Sequence, residues 1–278
     1  MAQPLTENAF DWRNIAQTLI TEDDEPVDNL ISAKQQRLLV ESLYSSWQPA
    51  VDEEIPDVPR PFLADANVGI FYARYQPPIV PDVFVSLDIE VNPAWLADEH
   101  RAYFVWEFGK VPEIAIEIVS NRVGGELTKK LDRYARMGLI YYAIFDPFNE
   151  LGDERLRVYE LFMGRRYRLR EDWAMPELSL GLMLWQGTFE GLNGEWLRWR
   201  DKENNLLLTG KESSILEAVR ANQEAARANQ EAARANQEAA RADQETARAD
   251  QETAARQLAE DEIARLRAEM QLLQHPAQ

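Results

Sequence analysis

The chain has 278 residues, 45% of them hydrophobic, with no cysteine, two histidines and a net charge of −18. That is enough apolar material for a sizeable core in at least one domain, and it excludes disulfides, thiolate metal sites and cysteine nucleophiles. His100 and His275 alone give thin support to a serine–histidine–acid triad or a multi-histidine metal site. The charge argues against bulk attraction to nucleic acid, since residues 1–211 carry 22 basic and 35 acidic side chains and residues 212–278 carry 8 and 13.

Residues 1–28 are acidic and turn-rich and read as a loosely held arm. The start, MAQPLTENAFDW, has no basic segment followed by an apolar one, and no apolar run approaches about 18 residues, so a soluble, cytoplasmic protein is expected. Asn29 to Trp47 reads as a helix with Gln36, Leu39, Leu43 and Trp47 near one face. Glu41 falls about 200° from Leu39, where a solvated charge is the expectation. VDEEIPDVPRP is a proline-rich connector, and Val68 to Ala73 reads as a strand. Pro77, Pro78 and Pro81 then set an extended entry to a short buried strand, Val83 to Leu87. Asp82 stands at its mouth, where a Pro-Asp pair taken alone is a turn. Residues 88–110 form a longer connection whose end, YFVWEFGK, is expected to cover a site or the core edge.

Val111 to Pro147 is the stretch around which the rest is organised. It reads as a strand (Glu113 to Val119), a glycine-bearing loop, an amphipathic helix (about Glu126 to Met137) and a second strand (Tyr141 to Phe145). By the period of two, Ile114, Ile116 and Ile118 share one face and Ala115, Glu117 and Val119 the other. Glu117 is then a carboxylate among apolar groups, which costs several kcal/mol unless a cation or hydrogen-bond donors meet it. On the helix, Leu127, Leu131 and Tyr134 form a stripe at about 100° per residue, with Lys130 about 60° to one side. Lys129 points almost opposite, toward water with Arg133 and Arg136. Only Lys130 of the pair can reach Glu117. A buried ion pair without chemistry and a functional pair are both compatible with these two residues.

Arg155 to Arg170 alternates and turns at Met163-Gly164-Arg165, a hairpin, and Leu178 to Arg200 reads as a second one turning around Gly191-Leu192-Asn193-Gly194. Arg165, Arg166, Arg168, Arg170, Arg198 and Arg200 are the densest basic cluster. They are able to contact phosphate, but solvation on an exposed strand face is the plainer reading. Trp173, Trp185, Trp196 and Trp199 read as core or edge packing. From Ala221 a seven-residue repeat begins (ANQEAAR), free of glycine and proline up to Pro276, and predicts one long helix with i,i+3 and i,i+4 Glu–Arg pairs. Ala225, Ala228, Ala232 and Ala235 keep a coiled-coil spacing. Ile263, Leu266, Met270 and Leu273 keep it with larger side chains but out of phase, so the last turns are the expected association point.

Several of these stretches together resemble one family. Pro81-Asp82-Val83 precedes a buried strand, and Trp106-Glu107-Phe108-Gly109-Lys110-Val111-Pro112 leads to Glu117-Ile118-Val119-Ser120. Lys130-Leu131-Asp132-Arg133-Tyr134-Ala135-Arg136-Met137-Gly138 and Tyr142-Ala143-Ile144-Phe145-Asp146-Pro147 follow. The set is similar to the PD-(D/E)XK nuclease superfamily, and within it to the restriction-endonuclease-like proteins called Uma-two, over roughly residues 30–200. Two departures stand out. The superfamily's lysine two residues after the strand acid is replaced by Val119, its place taken by Lys130 on the helix. The loop after Ser120 reads Asn-Arg-Val-Gly-Gly-Glu where many relatives have serine and threonine, which leaves a role for Glu126 open. A first-helix glutamate used by some members has only Glu41 as a counterpart.

The resemblance implies an α/β restriction-endonuclease-like domain over residues 29–211, a mixed sheet flanked by helices with C-terminal β-hairpins. It is followed by the coiled-coil-like helical tail over 212–278. It further implies a Mg²⁺ (or Mn²⁺)-dependent endonuclease acting on DNA, with Asp82 and Glu117 as metal ligands, the Ile118 main-chain carbonyl as a third, and Lys130 orienting or activating water. A homodimer is expected, with the C-terminal helix as one route to it. Residues contacting nucleic acid are not identified. The alternative is a non-catalytic binding or scaffold protein that keeps the fold and assembles through its tail.

Overall fold

The computed structural model describes residues 30–49, 60–90, 92, 101–120 and 125–274. The expected N-terminal arm, most of the proline-rich connector, the loop after Ser120, His100 and His275 lie outside these residues. Contacts divide the chain into residues 1–213 and residues 214–278.

In the first unit a six-stranded mixed sheet runs in the order β1-β3-β5-β6-β7-β8. Its strands are β1 (Phe62–Asp65), β3 (Val83–Leu87), β5 (Ile114–Ile118), β6 (Tyr141–Phe145), β7 (Leu156–Phe162) and β8 (Arg166–Leu169). Only β5 and β6 are parallel, as the helical crossover between them requires. A second sheet joins β9 (Ala174–Met175), β10 (Leu180–Phe189) and β11 (Leu192–Asp201), all antiparallel. A two-rung parallel pair, β2 (Ile70–Phe71) with β4 (Tyr103–Phe104), accounts for the expected YFVWEFGK cover, which continues as the short helix α2 (Val105–Phe108). Strand β1 was not anticipated, and the strand expected over Val68 to Ala73 is only two residues long.

The alternation read from the sequence divides the core into two layers. Ile114, Ile116 and Ile118 pack with Val83, Val85 and Leu87, with Leu39 and Leu43 of α1 (Leu30–Ser46), and with Leu182, Leu197 and Trp199 of the second sheet. Ala115 and Val119 face the other way, toward Tyr134, Met137, Leu139 and Tyr142. Helix α1 is fixed to β11 by polar contacts as well as apolar ones. The Gln35 amide donates to the Leu197 carbonyl (2.8 Å) and accepts from its N–H (2.9 Å), and the Trp199 indole N–H donates to the Leu39 carbonyl (3.0 Å). The Gln35 contacts satisfy the Leu197 backbone N–H and C=O, which would otherwise be buried without partners. Trp196 and Trp199 are core residues, as expected. The β10–β11 turn falls at Glu190-Gly191, two residues before its expected centre.

Arg198 departs from the solvated reading of the basic cluster. It is fully buried, lies over the Trp185 ring and donates to the Leu207 carbonyl (2.7 Å) and to Glu212 (2.7 Å). Glu212 also accepts from the Thr209 N–H (2.8 Å), and its own N–H donates to the Thr209 hydroxyl (3.3 Å). This reciprocal pair is a capping box, and it starts α4 (Gly210–Gln274). The second unit is this single helix, exposed throughout residues 214–270. Its composition allows nothing else: alanine at two or three positions of every repeat favours helix, and alanine has too little side chain to build a core.

Candidate active site

The last paired rung between β3 and β5 is Val83 with Ile116, so one step further Asp82 stands across from Glu117. Facing residues of an antiparallel pair have Cβ atoms about 4.5–5.5 Å apart. The strands part here, and Asp82 fills the gap. Its Oδ2 accepts from the Ile118 N–H (2.6 Å) and its Oδ1 from the Gln36 side chain (2.8 Å), which is linked in turn to Asn67 (2.9 Å). A strand residue directs its N–H and C=O to the same side, so the Ile118 carbonyl also points toward the Asp82 side.

Glu117 is 2% exposed and lies on the face the alternation assigns to it. Its Oε2 meets the Lys130 Nζ at 2.7 Å and its Oε1 accepts from the Tyr134 hydroxyl at 2.7 Å. Burial pushes the Glu117 carboxyl above the ordinary range, against the opposing pull of Lys130 and Tyr134. Burial pulls the Lys130 ammonium down, but the negative charges of Glu117, Glu126 and Asp82 outweigh it and hold the group above the usual lysine value. Asp82 also acts electrostatically on Tyr134, so the three sequence-picked side chains and Tyr134 share one field.

The segment carrying Lys130 is not the regular α-helix that the stripe of Leu127, Leu131 and Tyr134 predicts. Glu126–Lys130 is a π-helical turn, with the Lys130 N–H bonded to the Gly125 carbonyl five residues back (3.1 Å), and only Leu131–Met137 (α3) is α-helical. Gly125 opens it at φ +73°, a conformation costly for other residues. The wider turn rotates Leu127 outward and Glu126 inward, to 6% exposure. Lys129 faces water as expected, whereas Arg133 donates to the Pro77 and Pro78 carbonyls (2.9 and 3.0 Å) and so holds the entry to β3 in place.

Three residues of the site were not assigned to it from sequence. The sequence pattern puts Gln36 on the correct helix face only as part of a stripe, makes Tyr134 a core residue and leaves the role of Glu126 open. Glu41, the first-helix acid, lies elsewhere and accepts from the Gly210 N–H (3.2 Å). Glu113, the residue before β5, is structural: it accepts from the Leu87 N–H (2.8 Å) and the Lys110 ammonium (2.5 Å) where the β3–β5 ladder loosens.

Among the described residues no three acidic or histidine side chains stand close enough, as placed, to cage one metal ion. Mg²⁺ does not need such a cage, because it is commonly held by one or two carboxylates, with water and substrate phosphate completing the octahedron. Two facing carboxylates and a carbonyl on their side form an all-oxygen donor set that fits a hard divalent cation. A carboxylate pair bracketed by a lysine, at the ends of two interior strands of a mixed sheet, defines the restriction-endonuclease-like class. The chain belongs to the Uma2 (Uma-two) family, whose model, described as "Putative restriction endonuclease", matches residues 30–188, more than half of the chain. No curated protein matches it.

Proposed function

We propose that the chain is a Mg²⁺ (or Mn²⁺)-dependent endonuclease that hydrolyses DNA phosphodiester bonds. The observation that carries this reading is the meeting of Asp82, Glu117 and Lys130 at one break in the β3–β5 ladder. When bound there, the cation would polarise a phosphoryl oxygen and supply a water of lowered pKa. Asp82 and Glu117 would hold it, with the Ile118 carbonyl as a main-chain ligand. The Ile118 N–H and Gln36 keep the Asp82 oxygens in place, and Tyr134 fixes one Glu117 oxygen so that the other is free to change partner. Lys130 is the mobile element. It is 28% exposed at its side chain, so its ammonium is able to leave Glu117 for an incoming phosphate or water and offset negative charge as it develops. The long C-terminal helix serves association, and a homodimer would place two such sites on one duplex.

Supercoiled plasmid cleavage tests the proposal. The parent nicks or linearises DNA with Mg²⁺ and not with chelator, and Asp82→Ala, Glu117→Ala and Lys130→Ala each lose 100-fold or more. Cleavage by all three at the parent's rate would refute it. The acidic body favours a second reading, a non-catalytic scaffold of the same fold, for which no variant at these positions would alter DNA cleavage.

A further inference from the structure

Glu126 does something in this structure that burial energetics oppose. The π-helical turn exposes Leu127 (36%) and buries a carboxylate in its stead. Leaving a leucine partly exposed forgoes apolar burial, and a buried charged acceptor without a donor adds a further cost. Glu126 Oε1 has only a long approach to the Lys130 Nζ (3.6 Å), and Oε2 is buried with no hydrogen-bond partner. The same ammonium is the one that meets Glu117, so Glu117 and Glu126 flank a single positive charge. The charge of Glu126 also reaches Glu117 and Tyr142. Counted as ionised, Asp82, Glu117, Glu126 and Lys130 sum to −2, which one divalent cation cancels. π-turns inserted in helices concentrate at functional sites because their strain must be repaid there.

We infer that Glu126 becomes a third carboxylate of the cation site once the Lys130 ammonium it now shares with Glu117 has moved away: as placed the acids do not converge on one ion, and no protein donor holds the Glu126 Oε2 back. This rests on the nuclease reading for its setting but not for its test. In the metal-free state Glu126 is a liability, and in the loaded state a ligand. A residue present only to position Lys130 would behave in the opposite way.

The test uses the full-length chain, with Mn²⁺ as the probe. Bound Mn²⁺ is measured from the loss of the free-ion electron paramagnetic resonance signal, and melting temperature is recorded with and without the metal. Glu126→Gln keeps the shape and removes the charge. It is expected to melt at or above the parent without metal, to bind Mn²⁺ at least tenfold more weakly or with one ion fewer, and to lose most of the metal-induced rise in melting temperature. Glu126→Asp should recover part of the binding. If Glu126→Gln melts lower without metal and binds Mn²⁺ as the parent does, or if the parent binds no Mn²⁺, the inference is overturned. Plasmid cleavage by the parent separates this from the activity: metal-dependent cleavage with unchanged Mn²⁺ binding in Glu126→Gln would sink the inference and leave the nuclease reading standing. Glu126-dependent Mn²⁺ binding with no cleavage would do the reverse.

Discussion

Both Glu117 oxygens have a donor, yet its carboxyl is still held above the ordinary range, because burial outweighs Lys130 and Tyr134 together. Buried tyrosines show the same physics. Burial raises Tyr103 to about 12, and Tyr134 and Tyr142 rise well above 10 for the same reason, aided by the nearby carboxylates. A phenol whose folded pKa is raised stabilises the fold fully below its unfolded value of about 10, and that stability is lost as pH climbs through the folded value. Phenolate absorbance should therefore stay low for these rings just above pH 10 and rise together with the loss of circular dichroism between about pH 10 and 12. Ionisation of all nine tyrosines near pH 10 with the fold intact would contradict their burial. Glu117 is legible in the sequence by its period of two, and Lys130 as its partner, although the 100° rotation that points to it assumes an α-helix where the chain makes a π-turn. Tyr134 and Gln36 are not legible, since a polar atom at the tip of a residue on a buried stripe leaves no trace in the pattern.

At the scale of elements, most of the fold could be read in advance. Val83–Leu87 and Tyr141–Phe145 are bounded as expected, and the Leu156–Phe162 and Arg166–Leu169 hairpin turns where Gly164 predicts. The misses have local causes. A π-turn cannot be distinguished from an α-turn by hydrophobic spacing, so the pattern puts Leu127 inside and says nothing of Glu126. Arg198 resembled its solvated neighbours because its partner, Glu212, lies beyond the hairpin, and the helix start it braces was visible only as Thr-x-x-Glu. Thr209→Ala removes the cap and should cost about 0.5–2 kcal/mol in urea denaturation. No measurable loss would mean that the Thr209–Glu212 exchange is not stabilising the start of α4.

For the whole molecule, the division into residues 1–213 and an exposed helix suits the proposed reading, in which the first carries the chemistry and the second the association. Ile263, Leu266 and Met270 are about half exposed on that helix, the larger side chains the heptad analysis singled out. A chain ending at Ser213 is expected to stay folded, to keep metal-dependent cleavage and to run as a monomer by light scattering where the full chain runs as a dimer. A dimeric truncated chain would place the association surface on the body. The charge of −18 adds a condition that composition alone made plain: DNA binding should be weak and should fall steeply with salt.

Calorimetric titration with Mg²⁺ and Mn²⁺, on the full chain and on the Asp82→Ala/Glu117→Ala double variant, asks most directly whether these residues form a cation site. Saturable binding to the parent that disappears in a folded double variant is the predicted result. Equal binding to both, or none to either, would contradict it.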